Sequence, residues 1–176
     1  MQYPTMDIGF VYFCTATILN WKHLLKPDKY KDIIISSLKY LVENDKIKVY
    51  GFVIMPNHIH LIWEMIEKNG KEMPNASFMK YTGHQFLEDL RANHSQILPY
   101  FEVDSTTRRY HFWQRNSLPV ALFSSEVWEQ KLEYIHNNPI QERWKLADLP
   151  ENYRYSSARF YYTGEDEFGF LTHWRG

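Results

Sequence analysis

Four residues have types and spacings that could do chemistry: His58 and His60 in MPNHIHLIWEM (55–65), and Tyr134 and Asn138 in KLEYIHNNP (131–139). Side chains alternate across a strand, so His58 and His60 project from one face with Cα atoms roughly 6.5–7 Å apart. At that separation two ring nitrogens can converge on one cation at about 2.0–2.2 Å. The pair follows Pro56 and Asn57, residues suited to the centre of a tight turn, where a ligand can approach. Two imidazoles make an incomplete site, and spacing names no third ligand. The same pair also fits a plain reading, two polar residues on a solvated sheet face. Tyr134 and Asn138 lie one helical turn apart, on a face shared with Lys131. Such a tyrosine is either an ordinary surface residue or a nucleophile. With a phenol pKa of about 10 it is protonated at neutral pH and needs an activated electrophile, such as a phosphate polarised by a metal.

A third stretch, TTRRYHFWQR (106–115), interleaves Arg108, Arg109, His111 and Arg115 with Tyr110, Phe112 and Trp113. Cations that neutralise phosphates, alternating with rings that stack on unpaired bases, suit a single-stranded nucleic acid. A loop with its rings packed inward and its arginines in water has the same sequence. Lys80 and Arg91, on a candidate helix, either add phosphate contacts or decorate a solvated face. The candidate DNA-binding set is Arg108, Arg109, Arg115, Trp113, Lys80 and Lys131. His136 points off the Tyr134 face and suits a supporting role; His23, His84, His94 and His173 have no partner visible in sequence.

The elements that must position these residues are legible from periodicity. GFVYFCTATIL (9–19) is rich in β-branched and aromatic residues and predicts a first strand. Pro27 opens a helix predicted over 27–44, with Tyr30, Ile33, Ile34, Leu38, Leu41 and Val42 at helical spacing. Residues 46–55 and 58–65 predict an antiparallel hairpin. In its second strand Ile59, Leu61, Trp63 and Met65 form the core side, opposite His58, His60, Ile62 and Glu64. A second helix is expected over about 75–94, weakened by Gly83, after a loop at 66–75. LPVALF (118–123) predicts a fourth strand. Ser124 or Ser125 caps a third helix that Pro139 ends or bends. The order β-α-β-β-α-β-α is a split βαβ pattern, so the expected fold is α+β: a ferredoxin-like antiparallel sheet with helices on one face. The domain spans 1–142, and 143–176 is a C-terminal extension packed on or near it.

The 176 residues, 44% hydrophobic and 17% aromatic, suffice for one domain with a sizeable core. A net charge of −1 provides no global basic field, so a nucleic-acid role must rest on local patches. The single Cys14 excludes an internal disulfide and a cysteine-rich zinc site and suits a reducing compartment. The N-terminus lacks the pattern of a signal peptide and no apolar run reaches membrane-spanning length, so a cytoplasmic location is expected.

MPNHIHLI, YIHNNP some 70 residues later and then NYRYSSARFY, in that order on this series of elements, resemble the REP-associated tyrosine transposases. These are single-strand transposases of the HUH (histidine, hydrophobe, histidine) type, related to those of the smallest bacterial insertion sequences. The likeness covers about residues 9–162. It implies an enzyme of DNA transposition and recombination acting on single-stranded, hairpin-forming DNA. It further implies that a divalent ion, Mg²⁺ or Mn²⁺, is held by His58, His60 and Asn138. Tyr134 would be the catalytic nucleophile, forming a 5′-phosphotyrosine and freeing a 3′-OH. Ligand chemistry alone would not select Mg²⁺, which prefers oxygen donors. Relatives work as monomers or as homodimers, and the sequence does not decide between them. Two alternatives stand beside this reading: a metal phosphodiesterase using water, and a non-catalytic ferredoxin-like module that binds single strands.

Overall fold

The computed structural model describes residues 5–114 and 118–176; the candidate Arg115 lies outside the described residues. The strands are β1 (Val11–Thr17), β2 (Ile47–Ile54), β3 (His58–Met65) and β4 (Val120–Ala121). The helices are α1 (Asp28–Glu43), α2 (Pro74–Asn93), α3 (Ser125–Asn137) and α4 (Ala158–Thr163). They form a four-stranded sheet of order β2-β3-β1-β4 in which β3 runs antiparallel to both β1 and β2. β4 pairs antiparallel with β1. This is the split βαβ arrangement expected of a ferredoxin-like α+β fold. β4 keeps only two of its six expected residues, because Pro119 cannot donate to the ladder and Ser124 already caps α3, its hydroxyl accepting from Val127 N–H.

The alternation of β3 decides the packing. Ile59, Leu61, Trp63 and Met65 enter the larger core beneath α1 and α2, with Leu38, Leu41, Phe78 and Phe86. Burying each such side chain is worth about 1.5–3 kcal/mol, so this face anchors both helices. The opposite face does not stay solvated. Phe13, Val53, Met55 and Ile62 form a second core with Leu132 and Ile135 of α3. The expectation of helices on one face therefore holds for α1 and α2 and fails for α3, whose apolar stripe covers the histidine side. Gly51 permits the close approach, since a Cβ there would lie 2.9 Å from Leu132 Cδ2 and 3.0 Å from Ile135 Cδ1. The β2–β3 register also shifts between Val49 and Gly51.

Residues beyond α3 wrap β2 and fasten this helix. Tyr155 O accepts from Ile54 N–H, Ser157 N–H donates to Phe52 O, and Thr172 N–H donates to Val49 O. Trp174 stacks on Trp128 of α3 at 5.3 Å, and Arg175 pairs with Glu129.

Candidate active site

The histidines sit where β1 and β3 pair, with Thr17 opposite His58 and Thr15 opposite His60. Both are buried, at 7% and 4% exposure, and their ring centroids are 4.8 Å apart. This burial excludes the plain reading of two polar residues on a solvated face. The roof comes from α3 and from the segment after it. Phe13 stacks on His60 at 5.5 Å, Tyr134 meets His60 edge-on at 5.2 Å, and Trp144 lies 6.0 Å from His58. Tyr134 remains 44% exposed, so the ring touches His60 while part of it stays open to solvent.

Burial dictates the state of the imidazoles. Desolvation first, then the nearby Arg143, pushes His58 down to about 4. Desolvation, then His58 and Lys131, pushes His60 down to about 3. Both rings are neutral at physiological pH, the form in which imidazole offers a lone pair to a metal.

Hydrogen bonds set where those lone pairs point. Asn57 donates its amide N–H to Trp21 O at 3.3 Å, which leaves its Oδ1 as the acceptor facing His58 Nδ1 at 2.7 Å. His58 therefore carries its proton on Nδ1 and keeps the Nε2 lone pair. His60 Nδ1 lies 2.8 Å from Thr15 Oγ1, while its Nε2 is buried without a hydrogen-bond partner. A ligating histidine is ordinarily held in this way by a second partner on its other nitrogen.

Asn138 follows α3 directly, one turn beyond Tyr134. Although it precedes Pro139, it keeps helical backbone angles (φ −56°, ψ −47°), contrary to the bias expected before proline. It is fully buried, and both Oδ1 and Nδ2 lack a hydrogen-bond partner. A buried amide with two unmet polar atoms costs on the order of 1–3 kcal/mol per group, so such residues call for a ligand or another explanation. No cluster of three or more His, Cys, Asp or Glu side chains suited to a metal occurs among the described residues. His60 Nε2 and Asn138 Oδ1 are each buried without a hydrogen-bond partner, and an imidazole nitrogen and an amide oxygen are both donor types that a divalent cation accepts.

The candidate DNA-binding residues divide. Lys131 stands beside the site, its Nζ 4.5 Å above the Phe13 ring. Lys80, Arg108 and Arg109 lie on the other side of the sheet, lining a cleft against α2. Trp113 is corrected outright. It is 5% exposed, packs against Phe78 and Phe86, and donates Nε1–H to Thr82 Oγ1 at 2.9 Å. With Phe112 it closes the core, leaving no free ring face for a base.

Several residues at the site were not singled out by the sequence. Thr15 and Asn57 orient the histidines, and Arg143 brings a guanidinium within electrostatic reach of His58. Arg143 also lies over Trp144, at 5.9 Å from its centroid. Strand alternation could have found Thr15 and Thr17, which share the histidine face. Nothing local marks Arg143 or Trp144. His136 has the expected supporting place: Nε2 lies 2.8 Å from Ser157 Oγ, which also accepts from Phe52 N–H at 3.0 Å. This ties the end of α3 to β2.

Comparison with known proteins returns no matching family model and no matching curated protein. Among solved structures the chain is similar to a REP-associated tyrosine transposase bound to a REP hairpin. The identity is 17% and the TM-score 0.60, over 98% of this chain and 92% of that one. At that identity the likeness shows a shared fold: this chain has the fold of a tyrosine transposase.

Proposed function

We propose that the protein is a tyrosine-dependent nickase and strand-transferase of single-stranded DNA, of the transposase kind. The observation that carries the reading is Tyr134, half exposed, with its ring 5.2 Å from His60, whose Nε2 is buried and unpartnered. The fold shared with a transposase bound to a DNA hairpin supports it.

Tyr134 Oη attacks a phosphodiester phosphorus, and the bond from phosphorus to the 3′-oxygen breaks. A phosphotyrosine forms on the 5′ side. The phenolic proton leaves to solvent, and the departing 3′-oxygen takes up one proton to become a hydroxyl. Because one phosphodiester replaces another, a second strand's 3′-OH can reverse the step and join ends without external energy. His58, His60 and Asn138 would hold a divalent ion, Mg²⁺ or Mn²⁺, which supplies polarisation of the phosphate when bound. Thr15 and Asn57 fix the imidazoles, Lys131 and Arg143 add positive charge beside the scissile phosphate, and Phe13 and Trp144 exclude water.

The test is a denaturing gel of the protein incubated with labelled single-stranded hairpin DNA and Mn²⁺. A covalent adduct that Tyr134→Phe abolishes is expected. Cleavage without an adduct, in wild type and Tyr134→Phe alike, would establish hydrolysis by water instead.

A further inference from the structure

The cations that do not reach the site gather elsewhere. Residues 102–111 form a small hairpin: Glu102 bridges Tyr110, Val103 N–H donates to Arg109 O, and His111 N–H donates to Phe101 O. Phe101, Phe112 and Trp113 seat the base of this hairpin in the core against α2. Between it and α2 lies an open cleft of about 540 Å³. Its walls carry Lys80 and Arg91 from α2, and Arg108 and Arg109 from the hairpin.

We propose that this cleft is a DNA-backbone track, separate from the Tyr134 site, in which Lys80, Arg91, Arg108 and Arg109 neutralise successive phosphates of the substrate strand. The proposal rests on the reading that the substrate is DNA and adds where the strand is held. Charge segregation is the first argument. The whole chain has 20 Lys and Arg against 21 Asp and Glu, yet among the described residues this cleft is lined by four Lys and Arg and by no Asp or Glu, although Glu72, Glu88 and Glu102 outside the lining pair with Lys80, His84 and Arg109. Availability is the second. Arg91 and Arg108 are exposed and make no ion pair with another described residue. Lys80 pairs with Glu72 and Arg109 with Glu102, but ion pairs this exposed to water are weak, and a phosphate can replace either carboxylate. The third is a stacking surface: Tyr81, 48% exposed, lies on the same wall, and an unpaired base can stack on its ring. Gly83 keeps the wall low, since a Cβ there would meet only Phe112 Cδ2, at 4.0 Å.

The experiment uses the full chain carrying Tyr134→Phe, without metal, titrated against fluorescein-labelled single-stranded hairpin DNA and read by anisotropy. The paired change Arg91→Gln with Arg108→Gln is expected to weaken binding at least tenfold at 0.1 M salt. It should also flatten the slope of log affinity against log salt by about 1.4, at about 0.7 per lost single-strand phosphate contact. Gly83→Gln, which fills the cleft, should weaken binding too, and Gly83→Ala should not. Melting followed by circular dichroism confirms folding. If a variant unfolds, the parent's own slope decides: four contacts demand about −2.8, and a value flatter than about −1.4 overturns the track. Unchanged affinity and slope in the folded variants overturn it as well, as does no binding by the parent. The two readings fail separately. With Tyr134 intact and Mn²⁺ present, an adduct alongside affinity indifferent to all these changes sinks the track alone, whereas no adduct there, with affinity lost in the Tyr134→Phe cleft variants, sinks the chemistry alone.

Discussion

Acid should destabilise this protein steeply, and the structure says by how much. His58, His60 and His136 are buried and neutral, lowered by desolvation foremost to about 4, 3 and 4 respectively. In the unfolded chain each returns to about 6.5. A group whose folded pKa is depressed contributes stability above its unfolded value, and loses it as pH falls from about 6.5 towards the folded value. At pH 5 the unfolded state binds nearly one more proton per histidine, which costs the native state about 2 kcal/mol each, or about 6 kcal/mol together. Domains of this size hold about 5–15 kcal/mol in total. Urea unfolding at pH 8 and pH 5, followed by tryptophan fluorescence, should therefore differ by several kcal/mol. His136→Gln, whose amide can still reach Ser157 Oγ, should shrink that difference by about 2 kcal/mol. A difference below about 2 kcal/mol, or a His136→Gln drop equal to wild type, would refute the burial argument.

Further expectations follow from packing and orientation. Gly51→Ala forces a methyl against Leu132 and Ile135, which are too buried to yield freely, so unfolding should show a loss of about 1–3 kcal/mol. The same variant should slow adduct formation, because α3 carries Tyr134. Asn57→Ala removes the acceptor that fixes the His58 tautomer, and calorimetric titration with Mn²⁺ should show affinity about 10–100-fold weaker with the fold intact. Trp113→Ala should cost about 3–5 kcal/mol in chemical denaturation, the price of a core aromatic, whereas a base-stacking surface residue would cost almost nothing.

The fold was largely legible because its elements follow simple periods. The alternation of β3 separated Ile59, Leu61, Trp63 and Met65 from the histidines, and α1 showed its buried stripe at helical spacing. Where the reading failed, the deciding information was tertiary. In TTRRYHFWQR a ring that enters the core and a ring that faces a base have the same neighbours in sequence. Only the proximity of Phe78, Phe86 and Thr82 settles Trp113. Nothing in the sequence of α3 says which side of the sheet its Leu132 and Ile135 cover. That choice depends on Gly51, some 80 positions earlier, leaving room for it. Asn57 was read as a turn residue and serves as a histidine's hydrogen-bond partner as well. Arg143 and Trp144 reach His58 only because the chain after Pro139 turns back over the sheet, a course no local pattern encodes.

The most direct test of the central claim is mass spectrometry of the protein after reaction with single-stranded hairpin DNA and Mn²⁺, the DNA then being trimmed by nuclease. The account predicts a nucleotide mass on the peptide containing Tyr134, absent when His60→Ala or Tyr134→Phe is used. A nucleotide on any other residue, or cleaved DNA bearing a free 5′-phosphate with no modified peptide, would contradict it.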